Sequence, residues 1–233
     1  MKTRNWIVRI ASLLVGCLSA LPAPAQQTKN ERPKWEFFAE GGASVHTEVS
    51  GTITRQFVQP PGTFTQKQTK FFAKTGRLFT GLRYHFDSKN HIEATYSYSP
   101  ARLNTTVSGF PFAQPRTFVM PMDYDYFSVN YVRRLPSRKR FEPFLTAGVG
   151  LVVFSSSFEK EPGPVGNFGV GFDIPLNRRF SFRVEQRFFI SGTPRLTLVI
   201  GGTPGSGLVG PNVFDINGNT FDIVPSVGLV WHF

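Results

Sequence analysis

Residues 220–233 read TFDIVPSVGLVWHF. Counted in twos from the end, Phe233, Trp231, Leu229, Val227, Pro225, Ile223 and Phe221 fall in one row. His232, Val230, Gly228, Ser226, Val224 and Asp222 fall in the other. Side chains of a strand alternate between its faces, so one face here is apolar throughout and the other small or polar. A strand of a soluble sandwich would bury the apolar row and end on a solvated residue. This one stops on an aromatic, with another two places earlier. A buried edge strand of a sandwich can share that pattern, and the remaining sequence decides between them.

Upstream, the same period of two recurs seven times. The strands begin with WEFFAEGGASVH at 35–46 and continue at about 75–86, 91–99, 124–135, 141–154, 167–174 and 180–188. Between them, Asp87–Asn90, Pro136–Arg140 and Asn177–Arg179 have the composition of tight turns. Thr47–Lys70, Pro100–Pro121, Ser155–Pro164 and Ser191–Asn219 read as longer loops, rich in Thr, Gln, Pro and Gly. Long and short connections therefore alternate, as an up-and-down barrel with an even strand number requires. No helical period interrupts the series, so one domain is expected at 34–233. Its fold class is all-β, an eight-stranded antiparallel up-and-down transmembrane β-barrel. Pro143 and Pro225 fall inside strands, where each forfeits a ladder hydrogen bond.

Polarity sets the direction of the faces. One row carries Glu36, Glu40, Arg77, Arg83, Glu93, Asp173, Arg183, Glu185, Arg187 and Asp222, and the opposite row is almost purely apolar. Aromatics cluster at the ends of that apolar row, with Trp35, Tyr84, Phe180 and Trp231 at the short-turn end. Tyr96, Phe168, Phe188 and Phe221 lie toward the long loops. Two aromatic girdles with aliphatic residues between them match the two interfaces of a bilayer. Strands of this length cross when tilted, and closure pairs every backbone group. The charged row then faces the lumen, where isolated ions are costly. A paired network of Glu36, Glu40, Arg77, Arg83, Glu93, Arg183, Glu185 and Arg187 is expected to fill it. Glu36, Arg83 and Glu93 belong near the short-turn end, with Arg183, and the other four nearer the middle. An eight-stranded barrel is just wide enough to be filled by side chains.

The first 25 residues follow the order of a secretory signal: Lys2, Arg4 and Arg9, an apolar run from Ile10 to Leu21, then Ala23-Pro24-Ala25. Cleavage after Ala25 leaves a spacer at 26–33 and a mature chain without cysteine. A competing lipoprotein box, Leu14-Val15-Gly16-Cys17, would instead make Cys17 a lipidation site. Loss of the three basic residues lowers the formal charge from +11 to +8. For an exported chain that balance points to anionic lipid head groups rather than nucleic acid.

The WEFFAEGGAS first strand, the RLFTGLRYHF–turn–HIEATYSYSP hairpin, FEPFLTAGVG and the VGLVWHF ending resemble the OmpA-like family of small bacterial outer-membrane β-barrels. The resemblance implies a location in the bacterial outer membrane with both termini periplasmic. It implies lipid and lipopolysaccharide contacts, and an assembly signal at Trp231 and Phe233 read by the barrel-assembly machinery. The sequence carries no Cys and His cluster, P-loop or dinucleotide fingerprint, so no cofactor or metal is expected, and the family's peptidoglycan-binding domain is not expected here. The barrel carries function in its loops, so the expected role is non-enzymatic, structural or surface-interacting, with an extracellular partner the sequence does not identify. Two other readings stand beside it: a narrow small-solute channel, and an enzyme acting on lipid A. For the latter, barrel enzymes place a histidine with Ser, Asp or Glu at the outer rim. His85, His91 and His232 fall at periplasmic ends. Only His46 is near the rim, with Ser44 and Glu48 two residues to either side. The basic cluster Arg133, Arg134, Arg138, Lys139 and Arg140 is expected as a solvated turn. Gly201 to Gly210 is expected as flexible loop.

Overall fold

In the computed structural model the described residues are 34–57, 62–109, 112–137, 141–156, 160–192, 196–198, 212–214 and 218–233. The expected signal at 1–25, Cys17, the spacer at 26–33, Arg138 to Arg140 and the Gly201–Gly210 stretch lie outside them. Described strands are β1 (Trp35–His46), β2 (Val49–Phe57), β3 (Gly62–Phe72), β4 (Thr75–His85), β5 (Asn90–Gly109) and β6 (Phe112–Arg134). They continue with β7 (Glu142–Ser156), β8 (Lys160–Pro175), β9 (Phe180–Gly192), β10 (Leu196–Leu198), β11 (Asn212–Phe214) and β12 (Asn219–His232). Strands β5, β4, β1, β12, β9, β8, β7 and β6 pair in that order, and β6 pairs again with β5. Eight antiparallel strands thus close a ring.

Alternation turns the apolar row outward. Val149 is 72% exposed, Leu229 53% and Phe172 38%, whereas Arg77 and Glu185 are each 2% exposed. In water this would be an inverted protein, so the outer wall is built for lipid. The outer aromatics meet across strands. Trp35 and Tyr84 are 4.8 Å apart at the short-turn end, and Phe188 stacks on Phe168 and Phe221 at 4.8 and 5.7 Å toward the long-loop end. The tight turns are fixed by their own side chains. Asp87 Oδ1 accepts the N–H groups of Lys89 (2.6 Å) and Asn90 (2.8 Å), and Asn177 Oδ1 those of Arg179 (2.8 Å) and Phe180 (2.9 Å).

All four of the expected loops contain strand. Thr47–Lys70 holds the β2–β3 hairpin, and β3 then pairs with the far part of β5, from Lys67↔Ser108 to Phe72↔Leu103. Within Pro100–Pro121, β5 and β6 run on as one hairpin to Gly109↔Phe112. Within Ser155–Pro164, β8 begins at Lys160 and pairs Pro162 and Pro164 with β7. Threonine, with its branched Cβ, suits strands, and the first two of those segments are Thr-rich between prolines that composition reads as breakers. Four strands, β2, β3, β5 and β6, therefore carry sheet past the ring at its long-loop end. A short β10–β11 sheet lies within Ser191–Asn219. Pro225 leaves its mark as expected: the β1–β12 ladder lapses between Gly42↔Ser226 and Val45↔Ile223.

Candidate functional site

The lumen has two zones. Toward the long-loop end apolar residues predominate, although Lys70 and Asp222 are buried there too: Leu103, Met122, Tyr124, Val152, Phe154 and Val165 form one buried cluster that continues down to Phe79 and Phe189. The sequence reading of a uniformly polar lumen missed this cap. Its signal was present as Val152 and Phe154, which alternate inward on a strand whose outer row is also apolar. Below lies the ionic zone.

Glycine makes room for that zone. A Cβ on Gly81 would occupy the space of the Phe38 ring, and one on Gly171 would meet Phe144. Each ring fills a recess that only glycine leaves open. The rings in turn carry the guanidinium groups: Arg183 lies 4.8 Å from Phe38 and 5.0 Å from Phe144, and Arg83 lies 4.9 Å from Phe144. Such cation–π contact gains when desolvated.

Register then brings charges together. Glu36 sits opposite Arg83 on β1–β4, and Arg83 opposite Glu93 on β4–β5. Arg83 donates to Glu93 Oε2 from Nε (3.0 Å) and Nη2 (2.6 Å), and its Nη1 is 3.5 Å from Glu36. Arg183 grips Asp173 with two bonds of 2.7 and 3.0 Å, the fork geometry that makes Arg–carboxylate pairs strong. It also lies 3.6 Å from Glu40, whose other oxygen accepts Ser226 Oγ at 2.6 Å. Arg187 holds Glu185 through two bonds of 2.8 and 2.9 Å and donates to Glu93 at 3.0 Å. Seven of the eight expected network residues thus form one connected set. Six carboxylates and six bases are buried among the described residues, counting Lys70 on β3, so the interior has no formal net charge.

Arg77 departs from the set. It does not reach Glu40; its guanidinium lies over Tyr126 (3.9 Å) and Phe189 (4.1 Å), with Asp222 at 3.8 Å. The register explains this, because Arg77 pairs with Gly42 and Glu40 with Phe79. Asp222 is the residue sequence reasoning undervalued. It accepts Tyr126 OH at 2.9 Å and is 2.5 Å from His46 Nδ1, directly across the β1–β12 ladder. His46 therefore looks to Asp222 rather than to Ser44 or Glu48, and its side chain is only 2% exposed. Arg134 also corrects an expectation: it is 7% exposed, not a solvated turn residue, and donates to Glu36 at 2.6 Å. Its place on the inward row of Asn130 and Ser128 was the available signal. At the short-turn end His85 and His232 approach Glu36 Oε1 at 2.9 and 3.1 Å, and His91 lies against His85 with ring centroids 4.1 Å apart. No group of His, Cys, Asp and Glu among the described residues is arranged to hold a metal ion.

Among solved structures, the chain is similar to Neisserial surface protein A. The TM-score is 0.50 at 9% identity, over 88% of this chain and all (100%) of that one. It is also similar to the outer membrane protein OprG from Pseudomonas aeruginosa, with a TM-score of 0.53 at 14% identity over 89% and 99% of the two chains. At such identities the likeness carries the fold alone. No protein-family model and no curated protein sequence matches the chain.

Proposed function

From the fold it shares with small OmpA-like outer-membrane barrels, we propose that this chain is a non-enzymatic integral protein of the bacterial outer membrane. Its short turns and both termini face the periplasm, and its long-loop end faces outward to meet anionic surfaces. The observation that carries this reading is the closed lumen. Arg77, Arg83, Glu93, Arg183, Glu185 and Arg187 are all at most 2% exposed, beneath an apolar cap. A barrel filled in this way offers neither a water path nor a substrate cleft, so interaction falls to the sheet beyond the ring. Besides the buried Lys70, segments 49–72 and 100–121 contain Arg55, Lys67, Arg102 and Arg116 and no Asp or Glu. Basic charge on a threonine-rich sheet suits phosphate groups such as those of lipopolysaccharide. Trp231 and Phe233 serve as the signal to the assembly machinery in the same reading.

The test combines two measurements on the refolded protein. In planar bilayers it is expected to give no conductance steps. It is expected to bind lipopolysaccharide-coated surfaces with an affinity that falls with salt and with reversal of Lys67, Arg102 and Arg116 to Glu. Steady conductance would overturn the reading in favour of a small-solute channel. The enzyme reading has one observation behind it, the His46–Asp222 pair, yet Asp222 is also held by Tyr126 and the histidine is sealed from solvent. A lipid A mass shift on expression that His46→Ala abolishes would restore it.

A further inference from the structure

Gln186 does not belong with its row. The outward residues of β9 are Phe180, Phe182, Val184, Gln186, Phe188 and Ile190, and its neighbours Glu185 and Arg187 are each buried to 2% exposure. It is the central residue of the strand, six from either end. The one bond of its side-chain amide among the described residues is to the Arg187 carbonyl, at 3.5 Å. A primary amide facing hydrocarbon with so little satisfaction is costly, and polar groups kept at that depth mark contacts.

A groove of about 380 Å³ opens beside it in the outer wall, crossing β1, β12, β9 and β8. Gly41 and Pro225 lie along it, with Val170, Phe172 and Val227 on its sides. Nothing stands within 4 Å of where a Cβ on Gly41 would be. The lapse in the β1–β12 ladder falls opposite Pro225, which has no N–H to give and which pairs with Gln186 in register.

We propose that this face joins two copies of the chain in the membrane, about a two-fold axis that brings the Gln186 amides together. The inference rests on the membrane setting proposed above. An amide is donor and acceptor at once, so two identical ones related by a two-fold axis satisfy each other with a pair of N–H···O bonds. Acyl chains supply neither partner. Head-group esters supply acceptors only, and they lie at the interfaces rather than at mid-strand. The missing side chain at Gly41 allows the close backbone approach on which association in lipid depends.

The experiment uses Gln186→Cys and Val129→Cys, each in a Cys17→Ser background. Val129 is 55% exposed on β6, across the ring from the groove. After oxidation in native membranes, Gln186→Cys is expected to give a disulfide dimer and Val129→Cys to stay monomeric. Separately, Gln186→Leu is expected to weaken dimer association in mild detergent about tenfold, with Gln186→Asn retaining part of it. Equal cross-linking at the two positions, or an unchanged equilibrium in Gln186→Leu, would overturn the dimer. So would a monomer that carries only lipid in the groove. Recovery in the outer-membrane fraction is scored first. If neither cysteine variant is found there, the membrane reading fails with the dimer; if both are, only the dimer is at stake.

Discussion

Glu93 accepts more hydrogen bonds than any other buried carboxylate among the described residues. It accepts two bonds from Arg83, one from Arg187 at 3.0 Å and one from Thr95 Oγ1 at 2.9 Å, and it is wholly buried. Glu93→Gln preserves its shape, removes its charge and points an N–H group toward one of two guanidinium ions. Breaking a buried pair by removing one partner costs about 3–5 kcal/mol. Here the stranded bases keep other carboxylates: Arg83 has Glu36 at 3.5 Å and Asp173 at 3.7 Å, and Arg187 keeps both bonds to Glu185. The expected loss is therefore at the lower end, about 3 kcal/mol, or roughly a hundredfold in the unfolding equilibrium. Urea unfolding from lipid vesicles reads it through Trp35 and Trp231, whose indoles leave the interface for water. Glu142→Gln is the control. Glu142 meets Arg134 at 3.3 Å, but its side chain is 33% exposed, so screening holds its effect to about 1 kcal/mol or less. Should Glu93→Gln shift the midpoint no more than this control does, the carboxylate is not the joint of the network.

Val149→Arg places a charge on the most exposed apolar position of the wall, and about 2–4 kcal/mol of destabilisation is expected if it faces the bilayer midplane. The same unfolding assay checks it, and a cost below 1 kcal/mol would place that residue in water. Gly81→Val is expected to displace the Phe38 ring from its recess and loosen Arg183 above it. The loss is about 1–3 kcal/mol from overpacking, seen as a lower melting temperature of the heat-modifiable form on gels. At the β4–β5 turn, Asp87 is pulled down to about 2, from an ordinary 3.8, by bonds from the Asn90 side chain and from the Lys89 and Asn90 N–H groups. A depressed folded value means the turn's contribution is complete above about pH 4 and is lost as pH falls through about 2. Carboxyl carbon shifts followed by NMR across that window check it, and Asn90→Ala is expected to raise the midpoint.

The ring and its inside-out polarity were legible because a strand has only two faces, so counting in twos separates Arg77 and Glu185 from Val149 and Leu229. Pairings between neighbouring strands were legible too, since Glu36, Arg83 and Glu93 need only the hairpin register. What was not legible depended on distance across the lumen. Arg187 and Glu93 meet although 94 residues apart. Asp222 gathers His46, Tyr126 and Arg77 from three other strands. The β2–β3 hairpin and the long β5–β6 arm were hidden for another reason. Proline and glutamine dominate the eye in such segments, while the threonines that favour extended backbone alternate less visibly.

Cap and network depend on each other through the dielectric. Ion pairs such as Arg83–Glu93 gain strength only where water is kept out. Leu103, Met122, Tyr124, Val152 and Phe154 exclude it from the long-loop side, and three of those five residues, Leu103, Met122 and Tyr124, belong to β5 and β6. The strands that seal the lumen are thus the same ones that continue into the sheet beyond the ring. An open pore would require removing those packed interior side chains.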